Sequence, residues 1–151
     1  MDAAMGDAVG ARRRWMGVLA RAGAAEIAAR LEAAPALPPH VALRGPETGL
    51  VMVRGRAGGD GAPFNLGEMT VTRCAVRSGE TVGHAYRAGR DARAAELSAA
   101  LDAALQDPAR RDALLDAVIE PLAAAQAAAR DMVARKAAAT RVQFFTMANM
   151  R

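Results

Sequence analysis

The side chains able to do covalent or acid–base work are few and scattered. The chain holds two histidines, His40 and His84, and one cysteine, Cys74. A metal centre draws on several ligands at recognisable spacings, and neither histidine has such neighbours, so both read as structural or surface residues. Cys74 stands beside Arg73, whose charge can lower a thiol pKa, and His84 lies in the next strand-like run. Paired across a hairpin, the two would form a nucleophile and its base. The other reading of Cys74 is a small buried apolar side chain. The loop "GRAGGDG" (55–61) offers glycine amides that can cradle an anion. It lacks the Lys-Ser/Thr ending of a phosphate loop and leads into Pro63-Phe64-Asn65-Leu66 rather than a helix start, which also fits a flexible hairpin connection. Arg87, Arg90 and Arg93 fall where a strand runs into a helix. Guanidinium forks there can hold phosphate oxygens, or simply pair with Asp91 and Glu96. No acid–base pair, triad or ligand set emerges, and no catalytic, cofactor-binding or metal-binding residue is assigned.

Stepping from side chains to elements, the helical period opens at Arg12. Trp15, Val18, Leu19 and Ala22 share one stripe. Residues 1–11 read as a flexible leader. A short second helix follows, with Ile27 and Leu31 on one face and Glu26 and Arg30 at i, i+4, and Pro35, Pro38 and Pro39 end it. Val41 to Arg90 is punctuated by glycine and rich in Val and Thr: "VALRGPE", "GLVMVRGRA", "LGEMTVTRCAVR" and "TVGHAYRAGR". These predict about four mainly antiparallel strands, with "RSGET" (77–81) turning near Ser78-Gly79. Beyond Arg90 the period is helical again. Asp91 caps a run carrying Leu97, Leu101 and Leu105; Asp107-Pro108 starts another; Pro121 kinks or restarts it, and an Ala-rich helix continues to about Ala139. The expectation is an α+β domain over 12–151, with N-terminal helices, the sheet, C-terminal Ala-rich helices and an extended tail.

That tail, "TRVQFFTM" (140–147), places Phe144 beside Phe145 in a chain with only three Phe, one Trp and one Tyr. Either it closes the sheet as a last strand, or Phe144, Phe145 and Met147 seat on a partner with Arg141 at the rim. Trp15, preceded by three arginines, poses the same alternative: a core anchor or a staple to a partner. These five residues are the candidate partner interface.

Composition narrows the class. Hydrophobic residues make up 52% and aromatics 3% of 151 residues, so a core built mostly of Ala, Leu and Val buries little area per residue and gains from a partner subunit. The formal charge of +4 and the pI near 10.5, carried almost wholly by arginine, favour anionic partners. A nucleic-acid binder also wants stacking aromatics among the cations, and Tyr86 is the one aromatic among the arginines. The single cysteine, the lack of a signal-like apolar core near Met1 and the absence of a membrane-length apolar run fit a cytoplasmic protein.

Five segments in order, "RRRWMGVLARA", "ETGLVMVRGRAGG", "NLGEMTVTRCAVR", "GHAYRAGRDARAAELSAALDAALQ" and "TRVQFFTM", together resemble the PhnG family, from about Arg12 to Met147. That is the G subunit of the bacterial phosphonate carbon–phosphorus lyase. The resemblance implies an accessory subunit assembling with the H, I and J subunits and the L protein. Their complex exchanges the adenine of ATP for a phosphonate, giving α-D-ribose 1-methylphosphonate 5-triphosphate. MgATP is then a substrate of the complex and no cofactor is held by this chain. A single cysteine agrees, since an iron–sulfur cluster takes several thiolates. Isolated copies can pair through the same sticky surfaces. The competing classes are a stand-alone nucleotide-acting enzyme and a basic nucleic-acid-binding protein.

Overall fold

A computed structural model describes residues 2–142. Helix α1 (Asp2–Leu19) and helix α2 (Ala24–Leu31) lead into strands β1 (Val41–Arg56), β2 (Pro63–Ser78) and β3 (Thr81–Ala88). Helices α3 (Ala92–Leu105) and α4 (Pro108–Leu114) follow, then one π-helical turn (Leu115–Ile119) and helix α5 (Glu120–Ala139). The α+β architecture is as expected, with two corrections. The helix begins at Asp2, so the residues read as a leader are its first turns. The sheet has three strands, in the order β1-β2-β3, all antiparallel.

The missing strand is a merger. "VALRGPE" and "GLVMVRGRA" form one sixteen-residue strand because the interruption at Gly45-Pro46 is absorbed as an irregularity. Proline has no amide to give the ladder, so the register shifts between Arg44 and Glu47 and pairing with β2 resumes at Glu47↔Arg73. The β2–β3 turn is Gly79-Glu80, closed by the Ser78↔Thr81 pair; Gly79 has φ of +56°, as the first central residue of a tight hairpin requires.

Helix α3 is the centre of the molecule, buried on nearly every side as the inner element of a layered fold must be. Its Leu97, Leu101 and Leu105 meet Trp15, Val18 and Leu19 of α1, Ile27 of α2, Leu114 of α4 and Val118, Ile119 and Leu122 beyond it. Its opposite stripe, Ala95, Ala99 and Ala103, lies on Cys74, Val76 and Ala85 of the sheet. Small residues on both sides allow close approach. A Cβ at Gly83 would run into the carbonyl oxygen of Ala99 and the amide of Ala103.

Local signals fix the helix ends. Asp91 accepts from the Ala94 amide at 2.9 Å and Asp107 from the Ala109 amide at 2.9 Å, with Pro108 in the first turn. Glu26 turns back to accept from the Gly23 amide at 2.7 Å rather than pairing with Arg30. Ahead of Pro121 the helix widens, and the Glu120 amide donates to the Leu115 carbonyl. The wider turn relieves the clash that a proline ring imposes on the preceding turn.

Candidate interaction face

The side chains with potential chemistry do not converge. Cys74 pairs with Ala85 and lies against α3, whereas His84 pairs with Ala75 on the opposite face of the sheet, so no nucleophile–base pair forms. Burial is the main cause that pushes the Cys74 thiol up, with Glu96 adding to it, and Sγ donates to the Arg44 carbonyl at 3.4 Å. It is an inert core thiol. His40 is exposed, with Nδ1 at 3.2 Å from the Pro38 carbonyl oxygen. The arginines at 87–93 diverge. Arg87 is buried and donates to the Ala22 carbonyl at 2.7 Å, Arg90 is exposed, and Arg93 pairs with Glu96 at 2.8 Å. Residues 57–61 cross the tip of the β1–β2 hairpin, exposed for the most part, and no helix follows them. Among the described residues, no group of three or more His, Cys, Asp or Glu could hold a metal ion.

Within the core, one carboxylate that sequence reasoning missed organises three elements. Asp102, fully buried on α3, accepts from Arg12 Nη2 at 2.7 Å, from Arg12 Nε at 3.1 Å, from Trp15 Nε1 at 2.9 Å and from the His84 amide at 2.9 Å. Arg12 Nη2 and Gln106 Nε2 both donate to the Val82 carbonyl, at 3.2 and 2.9 Å. Side chains of α1, α3 and its cap residue Gln106 thus satisfy the Val82 carbonyl and the His84 amide of β3. In the single chain Trp15 packs as a core anchor, 3% exposed with its indole N–H spent on Asp102, the first of the two readings of this residue.

The exposed apolar surface lies elsewhere, on a hairpin arm formed by the far halves of β1 and β2. Leu50, Met52, Phe64 and Leu66 are 62%, 56%, 47% and 63% exposed. Cross-strand register distributes them over both faces. Leu50 and Met52 pair with Thr70 and Glu68 on the side that α3 covers further along. Val51, Val53 and Met69 share the other side, with Phe64 opposite Gly55, over which Leu66 folds. A cluster of this kind on a surface marks an interaction site.

Positive charge gathers on the helices. Between α1 and α5 a shallow cleft of about 500 Å³ gathers Arg13, Arg14, Arg21 and Arg130. Glu120 holds Arg14 through two bonds of 2.6 and 2.7 Å, which keeps the Glu120 carboxyl below its usual range, and Gln126 accepts from Arg21 at 3.1 Å. Beyond Leu122, α5 is largely exposed, with Met132 and Val133 open to solvent. It ends at Ala139, and Arg141 is exposed just past it. Phe144, Phe145 and Met147 lie outside the described residues. No helix among those described is long and apolar enough to cross a membrane.

Two comparisons with known proteins agree. A family model described as "Phosphonate metabolism protein PhnG" matches residues 10–149. The chain is also 49% identical over 141 residues to the alpha-D-ribose 1-methylphosphonate 5-triphosphate synthase subunit PhnG of Rhizobium meliloti (strain 1021), which covers 92% of this chain and 89% of that relative.

Proposed function

The chain belongs to the PhnG family of phosphonate metabolism proteins, and from that premise we propose that it is an accessory subunit of the carbon–phosphorus lyase core complex. In this reading it joins the H, I and J subunits, with the L protein, in the cytoplasm. It supports transfer of a phosphonate onto the ribose C1 of ATP, with adenine as the leaving group. MgATP is a substrate of the assembly and the reacting groups stand on other subunits.

The observation that carries this reading is the exposed apolar arm around Leu50, Met52, Phe64 and Leu66 on a chain whose core gathers no reactive constellation. A monomer with nothing to bind gains nothing from four large apolar side chains in water. The stand-alone enzyme is disfavoured because Cys74 and His84 lie on opposite faces and the arginines at 87–93 diverge. For nucleic acid, the sheet face that carries Arg73 and Arg77 offers, among the described residues, only Tyr86 and, far along the arm, Phe64 as exposed aromatics, too sparse a platform for stacking.

The test is reconstitution. The host's H, I, J and L proteins are co-expressed with and without this chain, and adenine release from ATP and methylphosphonate is measured. Release should fall to background when the chain is omitted, and the chain alone should release none. Turnover by the isolated chain, or full activity without it, would overturn the proposal.

A further inference from the structure

We propose that the outer edge of β1, from Glu47 to Val53, accepts an extended strand from another subunit of the assembly, apolar in alternation and acidic where it meets the tip of the arm. This rests on the subunit reading above and specifies how the arm docks.

The two edges of the sheet are treated differently. On β3 the Val82 carbonyl and the His84 amide are taken up by Arg12, Gln106 and Asp102, which blocks the middle of that edge. On β1, among the described residues, no hydrogen bond from outside the β1–β2 ladder reaches the backbone of Glu47–Val53. Sheet proteins blunt a free edge with lysine, proline, bulges or a covering element. The β1–β2 ladder is irregular on both sides of this stretch, around Arg44 and Pro46 and again between Val53 and Arg54. From Glu47 to Val53 the register is unbroken and contains neither lysine nor proline. An incoming strand of about six residues fits that length. Its alternate side chains would lie beside Leu50 and Met52 on one face and Val51 and Val53 on the other, which is the usual division of labour in strand addition.

Charge sets the occupant. Arg54 has no carboxylate within ion-pairing distance among the described residues, and Arg56 donates to the Gly61 carbonyl at 3.0 Å, while Glu47 is engaged by Arg44 and Arg73. Asp60 lies in the tip loop and Glu68 opposite Met52, but the β1 strand itself ends in Arg54 and Arg56, and a strand laid along that edge meets these two cations and calls for acidic residues there. A second copy of this chain fits poorly. Two-fold pairing about Leu50 would set Arg56 of each copy against Arg44 of the other and Arg54 against Pro46, where the edge is irregular.

Hydrogen exchange read by mass spectrometry on the full chain, free and in the purified complex, tests this. The outward-pointing amides of Glu47–Val53, those not bonded to β2, should exchange at least about tenfold more slowly in the complex. Replacing Arg54→Glu together with Arg56→Glu should weaken assembly about tenfold and flatten its salt dependence. If the chain assembles while these amides exchange as in the free protein, the strand mode is wrong and the subunit reading stands. If the chain never enters the complex, both fall. Outward-pointing amides, those not bonded to β2, protected already in the free chain would overturn the proposal in favour of this chain's own occupants: the tail if truncation after Val142 releases them, a second copy if dilution does.

Discussion

Asp102 receives donors from α1 and β3, and each would be stranded if the carboxylate were removed. Asp102→Ala leaves the Trp15 N–H and the His84 amide without acceptors and Arg12 without its counter-ion. Because Arg12 keeps partial access to water, the expected loss is about 3 kcal/mol, below that of a fully buried pair. Urea unfolding measures it, and Asp102→Asn, which keeps an acceptor, should lose about half as much. An unchanged midpoint would mean that the hub is not a support. Val18 and Leu19 were legible as core because their spacing alone selects a face, whereas for Trp15 on the same stripe the core and interface readings stayed open. Asp102 was not. A single aspartate in "LSAALDAAL" reads as the solvent side of a helix, and only its tertiary partners make it an interior residue. Cys74 and His84 were each read soundly one at a time, but the pairing register that puts them on opposite faces is not written in either residue.

At the scale of elements, the helix boundaries were readable because their signals are local: Asp91 before α3, Asp107-Pro108 before α4, proline after α2. Strand count was not, since a proline that ends a strand and one absorbed at an irregularity look alike in sequence. The Ala95, Ala99 and Ala103 stripe also went unseen, as alanine signals neither face. It matters because it brings α3 onto the sheet. Gly83→Ala should therefore destabilise the protein by about 1–3 kcal/mol, the cost of overpacking against backbone that cannot move aside. Circular dichroism through a thermal scan would show it, and a variant as stable as the parent would mean that the helix can lift away. The continuous apolar run in "GLVMVRG" was legible as a strand, but that both its faces stand exposed depends on pairing register and on how far α3 covers the sheet.

For the whole molecule, stability and assembly are housed separately. The core lies around α3, while the arm and most of α5 project from it and bury little of their own surface. Leu50→Ser with Met52→Ser should accordingly leave stability within about 0.5 kcal/mol per site, as surface changes do, while lowering the yield of assembled complex. A comparable fall in melting temperature would place the arm in the core instead. The same separation governs what light can report. Trp15 is the only tryptophan, and its indole is locked to Asp102 in the interior. Intrinsic emission from this chain is a gauge of core integrity and stays silent while partners come and go at the arm, so docking must be followed with a chromophore placed on the arm.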